Sequence, residues 1–213
     1  MPPLATPRPA QPLRLHRFAL SGHAHRVELM LNLLDLPYEC VDVDLTQGAH
    51  LQPAFLQLNP FAQVPVLEDG ETVLPDSNAI LLYLVERYDP EGPWWPSDVQ
   101  QRAQVQRWFS VAAGPLASGP AAARIARLFG RPDDPRAHEI AALLLQRMQA
   151  HLSQRDWLVG DGPTLADVSL YTYTAHAPEG GVSLAPYPAV RDWLARVERL
   201  PRFVPMARKA ASA

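Results

Sequence analysis

Three short stretches carry residue types that could hold and polarise a small peptide-like anion. Ser21 stands in the loop from Ala19 to His23, just ahead of an apolar-periodic segment. A hydroxyl there can accept from a helix N-terminal N–H or donate to an anion, and the adjoining helix end adds positive potential. Val64-Pro65 stands at the entry to a strand. An X-Pro bond gives up only about 0.5–1 kcal/mol to be cis, which turns a backbone N–H and C=O outward, where an extended ligand can pair with them. An isolated Val-Pro would favour an ordinary trans proline at a strand start. The flanking Asn59-Pro60 and Asp69-Gly70 reverse that preference. Asp76-Ser77 precedes helical periodicity, so the hydroxyl and free N–H groups form a site for a carboxylate while Asp76 supplies the opposite charge. That pair suits a zwitterionic α-amino acid head. Ser77 as a simple helix cap is the other reading, and the two are compatible.

Other chemistries fit poorly. Cys40 is the only cysteine, which excludes an intramolecular disulfide framework, a C-x-x-C reductase pair and a multi-thiolate zinc site. Its place in a strand predicts a core thiol. His23 and His25 lack acidic or thiol partners, so no metal is expected on them; His23 is close enough to Ser21 to adjust its surroundings. Nineteen Lys and Arg against 22 Asp and Glu give a formal charge of -3, and no nucleic-acid partner is expected. No apolar run approaches the roughly 18–20 residues that span a bilayer. The opening MPPLATPRPAQP lacks the apolar core of a secretory signal, so a cytoplasmic setting is expected.

The elements that must position these residues follow from periodicity. Residues 1–12 read as a disordered proline-rich tail. Leu13 and Leu15 alternate with Arg14 and His16 as a first strand, and Val27, Met30, Leu31 and Leu34 recur at helical spacing until Pro37. Tyr38 to Leu45 alternates as a second strand, Pro53 to Leu58 forms a short helix, and Val64 to Leu67 is a third strand. Asp69-Gly70 turns it into an antiparallel partner at Thr72 to Leu74. Ile80, Leu81, Leu84, Val85 and Tyr88 then form an amphipathic helix. This order predicts a thioredoxin-like α/β domain over 13–89. Residues 90–96, with Gly92, Pro93 and two tryptophans, read as a linker. Residues 97–213 read as an all-helical bundle domain. Ser97 with Gln100 and Thr164 with Asp167 are candidate capping boxes, and Gly114-Pro115 is a candidate kink.

Leu20 to Val27, Asn59 to Leu67, Pro75 to Ile80 and Thr164 to Asp167, in this order, resemble the cytosolic glutathione transferases of the serine type. The resemblance covers almost the whole chain after the tail. It implies that bound glutathione is activated as a thiolate to attack an electrophile or an organic hydroperoxide. It implies Ser21 as the hydrogen-bond donor to the glutathione sulfur. Val64 and Pro65 would pair with the cysteinyl part, Asp76 and Ser77 with the γ-glutamyl head. Some serine-type relatives use a histidine followed by a lysine near the glycyl carboxylate and a glutamine before the Val-Pro pair; this chain has His50 and Gln63, with Leu51 in the lysine's place. Ala62 replaces a common glycine, so a negative φ is expected there.

For the second substrate, the resemblance directs attention to His23 and to Trp108, Ala112 and Arg124 of the helical half. Trp108 and Ala112 equally suit bundle core, and Arg124 would meet an anionic substrate. The resemblance further implies glutathione as co-substrate, no metal, and a homodimer in which Phe61 is a contact, with internal packing of Phe61 as the other reading. A non-catalytic glutathione- or ligand-binding regulator on the same fold is the competing function.

Overall fold

The computed structural model describes residues 8–208. Residues 1–7 of the expected tail lie outside that range, while Arg8 donates to Asp35 at 3.2 Å. Residues 8–92 and 201–208 form one compact unit and 93–200 another.

In the first unit, Leu13 and Leu15 turn inward from β1, Leu13–Arg17. β1 pairs in parallel with β2, Tyr38–Asp42, and antiparallel with β3, Val66–Asp69, which pairs antiparallel with β4, Thr72–Pro75. The sheet order is β2-β1-β3-β4. Gly70, at φ 56°, takes the first loop position between Asp69 and Thr72, a left-handed conformation that glycine adopts without a Cβ clash. Three helices complete the unit: α1 over Gly22–Leu33, α2 over Pro53–Leu58 and α3 over Ser77–Tyr88. α1 buries Val27, Met30 and Leu31; α3 buries Ile80, Leu81, Leu84 and Val85. The two helices pack on each other. Asp69 accepts from the hydroxyls of Tyr83, at 2.7 Å, and Tyr88, which ties α3 to the β3–β4 turn.

Three expectations need correction here. β2 stops at Asp42 and is the sheet's edge strand, so Cys40 is exposed rather than core. Desolvation of its sulfur, with the charges of Glu28 and Asp42, nevertheless holds the thiol above its ordinary value, against Arg17. Residues 201–208 belong with the sheet unit, not the helical one. The carbonyl of Val204 lies 2.9 Å from Nε2 of His25, Arg202 pairs with Asp35 at 3.1 Å, and Met206 is buried. Trp94, expected in a linker, is built into the helical unit, where its carbonyl accepts from Leu165 N–H at 2.9 Å.

The helical unit comprises α4 (Val99–Val111), α5 (Ala122–Leu128), α6 (Pro135–Leu152), α7 (Leu165–Ala175) and α8 (Pro188–Glu198). α4 is capped by Asp98, which accepts from Gln101 N–H at 2.8 Å; the expected Ser97 cap is one residue early. Gly114-Pro115 does not break the helix. The chain widens into π-helical turns over Ala112–Ala121, absorbing Pro115 and Pro120, and runs on into α5. α7 is buried almost all round and packs on α4 and α8, as a central helix must. Its capping box is complete: Thr164 accepts from Ala166 N–H at 3.3 Å while Asp167 accepts from Thr164 N–H at 2.9 Å.

Candidate active site

Strand direction gathers the candidate residues. β1, β2 and β4 run one way and β3 the other, so the ends of the first three and the start of β3 share one end of the sheet. The register makes this concrete, with His16 opposite Val66 and Val66 opposite Pro75. Ser21 follows β1, His50 follows β2, Gln63, Val64 and Pro65 precede β3, and Asp76 and Ser77 follow β4.

Ser21 caps α1 in extended backbone geometry, its Oγ accepting from Ala24 N–H at 3.3 Å. Capping uses an oxygen lone pair and leaves the hydroxyl proton available as a donor, so the cap and a donor role are compatible. No acidic side chain stands in the first turn of α1, and the positive potential of that helix end is not offset there. His23, half-buried in the same turn, is lowered to about 3 by burial first and then by the charge of Arg26. Its imidazole is therefore neutral throughout the physiological range. Its depressed value also has a sign for stability: between the unfolded value of about 6.5 and 3, only the unfolded chain takes the proton. His23 thus subtracts stability as pH falls through that window. NMR of the His23 ring is expected to show no titration between pH 5 and 8.

The loop before β3 is held by Asn59, which the motif reading used only as a marker. Its side chain is buried, donating to Gln63 O at 2.8 Å and accepting from Phe61 N–H at 3.0 Å. Val64-Pro65 is cis. The Val64 side chain is anchored among Val43, Phe55 and Val66. Ala62 sits at φ 54°, contrary to the expectation of a negative angle, because the chain must turn back between Asn59 and Gln63; Ala62 N–H closes that turn onto Asn59 O at 3.0 Å. Gln63 is exposed.

At the start of α3 the two candidates exchange roles. Asp76, not Ser77, is the cap: at φ 74°, its Oδ1 accepts from Asn78 N–H and Ala79 N–H, both at 2.9 Å. Ser77 is the first helical residue and is buried. Its Oγ accepts from Nη1 of Arg26 at 2.8 Å, and the same nitrogen reaches Asn78 Oδ1 at 3.2 Å. Arg26 is 1% exposed. Sequence reasoning passed it over, although a charged residue at helical spacing from Leu29 and Met30 was a legible signal.

His50 lies in a short helical turn over Ala49–Leu51, half-buried, and its Nδ1 is buried with no hydrogen-bond partner. A buried N–H without an acceptor is costly, which favours the tautomer with the proton on Nε2 and makes that nitrogen the donor. Leu51 beside it is 59% exposed.

The second-substrate candidates fare differently. Trp108 is buried, donates to Leu158 O at 3.2 Å and packs edge-on against His151 at 5.2 Å between ring centroids; Ala112 is fully buried. Both serve the bundle core. Arg124 is 1% exposed and donates to Glu179 at 2.7 Å, while His176 holds the other oxygen of that carboxylate at 2.7 Å. The guanidinium's Nε–H is thus engaged by an internal carboxylate. Phe61, at 80% exposed, does not pack internally. Among the described residues, no cluster of three His, Cys, Asp or Glu is placed to hold a metal, and no helix is long and apolar enough to cross a membrane.

The first unit is thus thioredoxin-like, with its candidate groups at one end of the sheet, and the second is all-helical. The glutathione S-transferase N-terminal domain profile matches residues 15–93 and the C-terminal domain profile matches residues 123–201. Glutathione S-transferase 3 of Zea mays is 36% identical over 204 residues, which span 90% of this chain and 91% of that one. The solved glutathione S-transferase of Pseudomonas fluorescens Pf-5 is similar at a TM-score of 0.87 and 36% identity, covering 93% of this chain and 100% of that one. A glutathione transferase homolog of Drosophila mojavensis, solved with bound glutathione, is similar at a TM-score of 0.80 and 28% identity, covering 89% of each chain. The chain belongs to the glutathione S-transferase family.

Proposed function

We propose that this protein binds glutathione at the end of its sheet and that Ser21 stabilises the thiolate for attack on an electrophilic carbon or an organic hydroperoxide. The observation that carries the reading is Ser21 itself: its oxygen accepts from α1 while its proton stays available, at a helix end with no acidic neighbour in its first turn. A thiol titrates near 8.5, and lowering that by roughly 2 units needs only about 2.7 kcal/mol, which one charge-assisted hydrogen bond and a helix end can supply together. The sulfur, not the serine, is the nucleophile. The proton leaves to solvent, and the protein adds proximity and a fixed field.

The tripeptide lies across the sheet end in three parts. Its γ-glutamyl head meets Asp76 and Ser77, the carboxylate facing the Ser77 hydroxyl and the ammonium facing Asp76. Its cysteinyl backbone pairs with Val64 beside Pro65, as an added antiparallel strand does. Its glycyl carboxylate meets the Nε2–H of His50, with Gln63 alongside. His23 is a neutral neighbour of the sulfur. The protein acts in the cytoplasm as a homodimer, with exposed Phe61 reaching the partner subunit.

Calorimetric titration of the wild-type protein with glutathione is the direct test. Binding at micromolar to low millimolar concentration, with absorbance of a thiolate at neutral pH, is expected. No binding at millimolar glutathione would sink the reading; binding without a lowered thiol pKa would favour a non-catalytic ligand-binding role.

A further inference from the structure

We infer that Arg26 is a positioning residue of the glutathione site, acting through Ser77 to turn its hydroxyl proton toward the ligand's α-carboxylate; this rests on the function proposed above. Ser77 has one proton and two lone pairs to place. With Nη1 of Arg26 at 2.8 Å, one lone pair is engaged by a cation, and the guanidinium's own N–H groups repel the hydroxyl proton from that side. The proton must point away. Capping does not compete for its oxygen either, since Asp76 already accepts from the Asn78 and Ala79 N–H groups. The hydroxyl is therefore left as an oriented donor, strengthened by the positive charge behind its oxygen.

The choice of arginine fits this task. Guanidinium stays charged at every working pH, and its planar fork lets one nitrogen hold both the Ser77 and Asn78 oxygens, at 2.8 and 3.2 Å. Arg26 also stands five residues after Ser21 on the same helix, so one side chain connects the helix that faces the sulfur to the turn that faces the carboxylate. The simpler account makes Arg26 a buried clamp between α1 and α3. A clamp alone would alter stability, and its effect on ligand affinity would not depend on whether Ser77 carries a hydroxyl.

A double-mutant cycle separates the two. Glutathione and S-methylglutathione are titrated into wild type, Arg26→Gln, Ser77→Ala and the double variant, with Arg26→Lys as the conservative replacement. Arg26→Gln and Ser77→Ala are each expected to weaken both ligands about tenfold, the worth of one hydrogen bond to a charged group. The double variant is expected to be no weaker than the worse single one. Arg26→Lys is expected to recover part of the loss, because charge returns without the fork. S-Methylglutathione has no thiol to ionise, so equal loss for both ligands places the effect at the carboxylate. Losses that multiply in the double variant, or unchanged affinity in Arg26→Gln, would overturn the inference. Should Arg26→Gln fail to fold, Arg26→Lys with Ser77→Ala gives the same cycle. Failure of wild type itself to bind glutathione would instead overturn the proposed function.

Discussion

Ser21→Ala is expected to lower kcat/KM for glutathione-dependent conjugation at neutral pH by roughly 10- to 100-fold, with the pKa of the bound thiol rising by about 1–2 units. The magnitude is that of a hydrogen bond to a charged acceptor, about 1.5–3 kcal/mol, at about 1.4 kcal/mol per unit. The sign is fixed by the donor's role: removing it penalises thiolate and leaves thiol untouched. Activity should therefore recover as pH rises toward the new thiol value, and the pH-rate profile should shift alkaline without losing its plateau. Ser21 also caps α1, and loss of a cap costs about 0.5–2 kcal/mol of stability. Chemical denaturation measures that cost apart from the chemistry. Ser21→Thr keeps the hydroxyl and is expected to keep most of the thiol shift. A Ser21→Ala enzyme with a reduced melting temperature but an unchanged thiol pKa would reduce Ser21 to a cap.

How much of this was legible in the sequence depends on what each residue does. The strand order was readable because alternation and turn chemistry are local: Leu13 and Leu15 face inward and Gly70 turns β3 into β4, as their types require. Errors fell where tertiary context overrides local preference. Cys40 sits in a strand, but only sheet order reveals that the strand is an edge. Ala62 takes φ 54° because Asn59 holds the turn around it, and nothing in alanine announces that. The helix start at Asp76–Ser77 was legible, yet its division of labour was not, since either residue can cap and the partner of Ser77, Arg26, arrives from another helix. Arg124 was read as a group that could meet an anion; its carboxylate partner, Glu179, lies far along the chain and was not legible beside it. Gly114-Pro115 was read as a kink because an α-helix lacks room for proline; the α-helix does give way there, but to π-helical turns that accommodate Pro115.

In the helical unit, Asp167→Ala is expected to cost about 3–5 kcal/mol of stability. Asp167 is 0% exposed, and burial raises its carboxyl against the pull of its hydrogen bonds. Oδ1 accepts from Leu158 N–H at 3.0 Å and from Trp193 Nε1–H at 2.9 Å; Oδ2 accepts from Thr164 N–H at 2.9 Å and the Thr164 hydroxyl at 3.1 Å. Alanine would strip the partner from three buried N–H donors, each worth about 1–3 kcal/mol when orphaned. One carboxylate thus joins the start of α7 to the segment before it and to Trp193 of α8, three places with no local reason to meet. Thr164→Ala removes the cap and one of the four hydrogen bonds to the carboxylate but orphans only the Ala166 N–H, and is expected to cost about 1–2 kcal/mol. Asp167→Asn should fall between, because its amide NH2 must face either Thr164 N–H or the Leu158 and Trp193 donors. Urea denaturation of the three variants would show this ordering through their midpoints. Equal costs for Thr164→Ala and Asp167→Ala would mean that the carboxylate does no more than cap, and that Trp193 and Leu158 find other acceptors without it.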